Sequence, residues 1–205
     1  MILSLDICTE IMSQTLHNFN AGPSILPKEI FKMTSNAVLN LNESGLSILE
    51  ISHRSKDFKD ILSEARELAL DIAGLDSNKY SSLFLQGGAS TQFLMIAYNF
   101  LYNQAGYINT GSWSAKAMNE AKLFGNVTEI ASSKDKNYNY IPKEYSNNDS
   151  LDYIHLTTNN TIFGTQFNII PDFDQSLIAD MSSDIFSRDI NYSAFDLFYA
   201  GAQKN

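Results

Sequence analysis

The sequence predicts an α/β fold, a mostly parallel sheet flanked by helices, and three observations carry that expectation. Short apolar runs of strand length alternate with amphipathic stretches of about ten to fifteen residues, the rhythm of successive βαβ units. Several of those runs end on glycine or small polar residues just where a helical period begins, as at Gln86-Gly87-Gly88 and Asn109-Thr110-Gly111. The chain is also apolar enough to pack, with 44% hydrophobic and 12% aromatic residues among 205.

The elements follow in order. Pro27 precedes KEIFKMTSNAVLNL, a helix with proline at its start. GLSILEISHRS reads as loop and short extended chain. From Asp57 onward, Phe58, Ile61, Leu62, Ala65, Leu68, Ala69 and Ile72 recur at helical spacing, with Asp57 as N-cap and Gly74 as the stop. Tyr80–Leu85 is expected as a strand leading into a helix from Thr91 to about Asn103. Gly106–Asn109 is a strand, Ser112–Phe124 a helix ended by Gly125, and Val127–Ala131, Leu151–Leu156, Leu177–Asp180 and Leu197–Ala200 are further strands. The polar stretch Ser132–Ser150 reads as a surface excursion rather than a domain boundary.

Composition narrows the function classes. Thirteen Phe, ten Tyr and one Trp exclude a disordered chain. With 23 acidic against 14 basic side chains and a net charge of −9, the chain repels phosphate backbones, so nucleic-acid binding is not expected. No apolar run approaches the roughly 18 residues that span a bilayer. Cys8 is the single cysteine, which excludes an internal disulfide or multi-cysteine metal site and points to a reducing, cytoplasmic setting with no metal. The opening MILSLDICTEIM carries Asp6 and Glu10 and lacks a basic start, so it reads as an N-terminal extension over residues 1–16 rather than a signal peptide.

Ligands of open parallel sheets gather at the carboxyl ends of strands. Gly87-Gly88-Ala89-Ser90-Thr91 sits at such an end, where backbone N–H groups cradle phosphate or glycine serves packing. Asp180 closes another strand, either to pair with a cationic group or to cap the next turn. Lys204 lies among small residues beyond a third, either a desolvated nucleophile or a solvated lysine. An anion cradle, a carboxylate and a lysine amine together suit pyridoxal phosphate. Trp113 either stacks on a planar cofactor or fills core, with core the default. Arg54 grips a carboxylate or makes a surface ion pair. His17 and His155 have no partners for a triad or metal, and His155 is expected to pack within its strand. Neither a G-x-S-x-G elbow nor a G-x-G-x-x-G fingerprint after a strand is present.

Several segments, in order, carry a family resemblance: His17-Asn-Phe-Asn-Ala-Gly-Pro-Ser-Ile-Leu-Pro27, Ile48-Leu-Glu-Ile-Ser-His-Arg-Ser-Lys56, Phe84-Leu-Gln-Gly-Gly-Ala-Ser-Thr-Gln-Phe93, Asn109-Thr-Gly-Ser-Trp-Ser114, Asn160-Thr161 and Tyr199-Ala-Gly-Ala-Gln-Lys-Asn205. On these the chain resembles the phosphoserine aminotransferases, pyridoxal-phosphate enzymes of fold type I. The resemblance implies that Lys204 forms the Schiff base and moves the proton between substrate Cα and cofactor C4′. Asp180 would hold the pyridinium nitrogen and Trp113 would stack on the ring. Ala89 and Ser90 would bind the phosphate, Gln203 and Thr161 would add cofactor contacts, and Arg54 would take the substrate carboxylate. The implied reaction passes an amino group from glutamate to 3-phosphohydroxypyruvate, giving 2-oxoglutarate and O-phosphoserine.

Two positions depart from the pattern. Some relatives carry Gly-Arg at Ala89-Ser90, so phosphate charge must be met by the helix start or another basic group, and some carry Ser at Ala21. Relatives also continue well past the lysine. Residues 17–205 are therefore expected to form a partial large domain that binds the cofactor, cut short before the rest of that domain and a C-terminal small domain. The complete protein is expected to be a homodimer whose partner subunit adds phosphate contacts. The alternatives are a catalytically incomplete piece that binds the cofactor weakly or not at all, or another fold type I aminotransferase of the alanine–glyoxylate kind. A cysteine desulfurase is disfavoured, because Cys8 precedes the matching region.

Overall fold

The computed structural model describes residues 17–146 and 150–202. The N-terminal extension with Cys8 lies outside them, as do Gln203 and Lys204. The helices are α1 (Lys28–Leu39), α2 (Lys56–Ala73), α3 (Gly88–Phe100) and α4 (Ser112–Ala121). The strands are β1 (Gln104–Asn109), β2 (Asn126–Ser132), β3 (Tyr153–Thr157), β4 (Asn159–Asn160), β5 (Thr165–Gln166), β6 (Ser176–Asp180) and β7 (Leu197–Tyr199).

The predicted parallel sheet is present. Five strands pair in the order β2-β1-β3-β6-β7, every neighbour parallel, so their carboxyl ends share one edge. The chain winds from β1 outward to β2 and then returns across β1 to β3. That reversal opens a crevice between β1 and β3, the place where open α/β sheets bind ligands. The register sets Thr157, Asp180 and Tyr199 side by side at the carboxyl edge.

Each face of the sheet is covered by different chain segments. On one, α3 and α4 bury Phe93, Ile96, Ala97, Ala117, Met118 and Ala121 against Tyr107, Tyr153, Ile178 and Tyr199. On the other, Ala73 and Leu75 from the end of α2 join Phe167, Ile190, Tyr192 and Phe195 over Ile108, Ile154, Leu156 and Leu177. Small residues at Ala97, Ala117 and Ala121 let α3 and α4 sit close to each other and to the sheet.

Helix ends follow local chemistry, with corrections: α3 spans Gly88–Phe100 rather than Thr91 to about Asn103, and α4 ends at Ala121 rather than Phe124. Ser55, not Asp57, caps α2: its Oγ accepts the Phe58 N–H at 3.3 Å, while Asp57 lies in the first turn. Both positions favour an acidic or hydroxyl group, and the serine is the one with extended backbone outside the helix. Gly74 ends α2 in the left-handed conformation, φ 65°, as the sequence predicts.

Tyr80–Leu85 is the larger correction. It forms no strand, and Leu83, Phe84 and Leu85 are 65%, 57% and 53% exposed. A strand exists only through hydrogen bonds to a neighbour, and no strand of the described sheet pairs with this segment. The β4–β5 hairpin was not legible in the sequence. Its strands are two residues each, too short to show an alternation.

Candidate active site

Asp180 ends β6 and is 4% exposed. Its Oδ1 accepts the Ser182 N–H at 2.9 Å, so it does cap the following turn. Ser182 Oγ in turn accepts the Gly201 N–H at 2.9 Å, which draws the chain leaving β7 toward the Asp180 loop. A Cβ on Gly201 would lie 3.4 Å from the Ala89 backbone nitrogen, so this same segment passes against the start of α3. Tyr199, beside Asp180 in the register, has its phenol pushed well up, first by burial and then by the Asp180 charge, and so stays neutral.

The start of α3 is open. Gly87 and Gly88 take φ of 106° and 66°, conformations that turn the chain sharply into the helix. No side chain caps the helix, and its first turn holds no acidic residue. Its leading N–H groups therefore present partial positive charge to whatever occupies the edge. The start of α4 differs: Ser114 Oγ accepts the Thr110 and Gly111 N–H groups at 2.9 Å each. Ser114 thus ties down the backbone just ahead of α4, whereas no side chain caps the start of α3.

Trp113 corrects the default expectation of a core residue. It sits in the first turn of α4 with 42% of its surface exposed. Ser90, in the first turn of α3, is also exposed, and its Oγ lies 3.3 Å from Lys116 Nζ on α4.

Asn160 belongs to the Asn160-Thr161 motif, and the sequence alone gives it no task. The structure shows one. Asn160 is 1% exposed, and its Nδ2 donates to Thr110 Oγ1 at 3.1 Å and to the Thr165 carbonyl at 3.4 Å. A Cβ at Gly111 would stand 2.8 Å from Asn160 Oδ1, so glycine is needed for this approach. Asn160 thereby joins the β1–α4 turn to the β4–β5 hairpin across the crevice. The hairpin is held from below as well. Thr158 Oγ1 bonds Asp184, which also accepts from Gln166 Nε2 at 3.2 Å and pairs with Arg188 at 3.4 Å. Thr161 is exposed on the hairpin turn directly after Asn160. A polar residue between a strand end and Gly164, φ 71°, was the available signal.

Ala89, Ser90, Trp113, Asp180 and the Thr161 hairpin thus share one edge. Arg54 is exposed on the turn before α2, its backbone N–H bonded to Ser52 Oγ at 3.2 Å, and among the described residues it makes no ion pair and no hydrogen bond to these groups. No cluster of three or more His, Cys, Asp or Glu residues suited to a metal occurs among the described residues.

The donor set fits pyridoxal phosphate. An uncapped helix start with unobstructed Gly88 suits a phosphate, an exposed indole suits an aromatic ring, and a buried carboxylate suits a protonated ring nitrogen. Gly201 and Ala202 end the described chain beside this edge, just ahead of Lys204.

The aminotransferase class-V family matches residues 16–205. Phosphoserine aminotransferase of Flavobacterium johnsoniae is 58% identical over 191 residues, covering 92% of this chain and 54% of that protein. The solved phosphoserine aminotransferase from Bacillus circulans subsp. alkalophilus superposes with a TM-score of 0.88 at 46% identity, over 92% of this chain and 53% of that one. The PLP-bound phosphoserine aminotransferase from Trichomonas vaginalis gives 0.85 at 33% identity, over 92% and 57%. The chain spans about half the length of the curated relatives it matches. It belongs to the aminotransferase class-V family and has the pyridoxal-phosphate-dependent fold type I architecture.

Proposed function

We propose that residues 17–205 form the cofactor-binding part of a phosphoserine aminotransferase, passing an amino group from glutamate to 3-phosphohydroxypyruvate in serine biosynthesis. The observation that carries this reading is the convergence of Asp180, the uncapped start of α3 and the exposed Trp113 ring at one sheet edge, where Gly201 also passes.

Bound pyridoxal phosphate supplies an electron sink for the charge that develops at substrate Cα. The residues of the chain do the rest. The leading N–H groups of α3, at Ala89 and Ser90, and the Ser90 hydroxyl hold the phosphate. The Trp113 indole covers the ring, and Asp180 holds a proton at the pyridine nitrogen. Asn160 sets the crevice width and presents Thr161, while Gln203 adds a contact. Lys204 Nζ attaches the cofactor and moves the proton at Cα, and Arg54 takes the substrate carboxylate. Unburied apolar side chains along α1 support a homodimer in the complete protein. A cytoplasmic location goes with the reading, and no helix among the described residues is long and apolar enough to cross a membrane.

Titration with pyridoxal phosphate, borohydride reduction and peptide mapping test the proposal. The cofactor is expected on Lys204, absent in Lys204→Ala, and converted by glutamate but slowed by about 10²-fold or more in Asp180→Asn. Cofactor retained covalently by Lys204→Ala overturns the assignment. Binding without conversion by glutamate identifies a cofactor-binding piece that needs further chain to turn over.

A further inference from the structure

The start of α3 leaves an electrostatic shortfall. A phosphate monoester carries a charge of about −1.5 to −2 at neutral pH, and a helix start offers about +0.5. Ala89 and Ser90 bring no cation, and the chain as a whole is acidic, at −9. Among the described residues, one basic side chain bonds to this place from another element. Lys116 leans from α4 so that its Nζ lies 3.3 Å from Ser90 Oγ and 5.9 Å from the centre of the Trp113 ring.

Three features set Lys116 apart from an ordinary solvated lysine. It is placed between the hydroxyl at the α3 start and the exposed indole, the two groups that flank the proposed cofactor. Among the described residues it makes no ion pair, so its charge is not spent on a carboxylate. Its position one turn after Trp113 puts both side chains on the same side of α4, turned toward α3, where Ala117 and Ala121 bring the two helices together.

We propose that Lys116 is the cation that neutralises the cofactor phosphate in this chain. The proposal rests on the cofactor reading above and assigns a residue that reading does not use. The ammonium would add a charge-assisted hydrogen bond to the phosphate while the indole face holds its stem in place.

The test separates phosphate from ring. Trp113 is the only tryptophan, so quenching of its emission reports binding of both pyridoxal phosphate and phosphate-free pyridoxal. Lys116→Met is expected to weaken pyridoxal phosphate about tenfold, and Lys116→Glu more, with pyridoxal affinity unchanged and Lys116→Arg near the parent. Inorganic phosphate should compete with pyridoxal phosphate for the parent and less well for Lys116→Met. Lys116 is exposed, so thermal unfolding of these variants should match the parent. Equal losses for the two ligands would show that Lys116 only positions Trp113 or Ser90, and no loss for either would show that it is a bystander. Both results overturn the proposal while leaving the cofactor reading intact. A parent chain that binds neither ligand overturns the cofactor reading and this proposal with it.

Discussion

His155 is an ionisable group enclosed within the sheet, and its surroundings set a pH dependence. It is 1% exposed, stacks on the Tyr107 ring at 4.9 Å and shares a 2.9 Å hydrogen bond with Tyr199 Oη through Nε2. Its Nδ1 has no hydrogen-bond partner among the described residues. The groups facing it are phenols: Tyr107 bonds Tyr153 at 2.9 Å, and burial raises the pKa values of both. Burial pushes the His155 imidazole down to about 3 from an ordinary 6.5. Between those values the unfolded chain takes up a proton that the folded chain refuses, so stability falls as pH drops below 6.5. The expected slope is as much as about 1.4 kcal/mol per pH unit, read from urea unfolding at a series of pH values. His155→Gln keeps a partner for Tyr199 and should flatten that slope. An unchanged slope in the variant would show that other groups cause it. The sequence placed His155 in a strand; which rings surround it comes from strands β1 and β7, distant in the chain.

At the scale of elements, the turn into α3 distinguishes two adjacent glycines. A Cβ at Gly87 would come 2.8 Å from Thr91 Cβ and 2.3 Å from its Oγ1, the same hydroxyl that donates to the Gly87 carbonyl at 2.8 Å. At Gly88 a Cβ meets nothing within 4 Å. Gly88→Ala should cost about 1 kcal/mol for its left-handed backbone alone. Gly87→Ala should cost about 1–3 kcal/mol and also weaken pyridoxal phosphate, because the helix start must shift. Equilibrium unfolding midpoints and the Trp113 titration give the order; equal effects at the two positions would contradict it. The helices and most strands were legible because their apolar spacing is local: α2 shows its periodicity and its Gly74 stop outright. Tyr80–Leu85 has strand composition without a strand, because pairing depends on a neighbour that the local sequence does not contain.

Across the whole molecule, apolar surface is distributed unevenly. The sheet core is closed, yet α1 buries no residue, and Met33, Leu39, Leu49 and Ile169 are 66%, 78%, 78% and 85% exposed. Surface of this kind drives association. The chain is expected to sediment above its 22.9 kDa monomer mass in a concentration-dependent way, and a monomer across the micromolar range would contradict that. The −9 charge opposes but does not prevent it, since exposed charges are screened within about 8 Å at physiological salt.

By itself the amino-acid order determined the alternation of strands and helices, the parallel sheet, and the motifs that place the chain in its family. It also marked Asp180, Trp113 and the Gly87–Thr91 turn, because each lies beside a strand end that local periodicity reveals. Only the tertiary structure decided that Asn160 bridges to Thr110, that Trp113 faces outward and that Lys116 meets Ser90 from a second helix. Those contacts join residues 26 to 50 positions apart, and sidedness at such separation is set by how the helices pack on the sheet rather than by any local propensity.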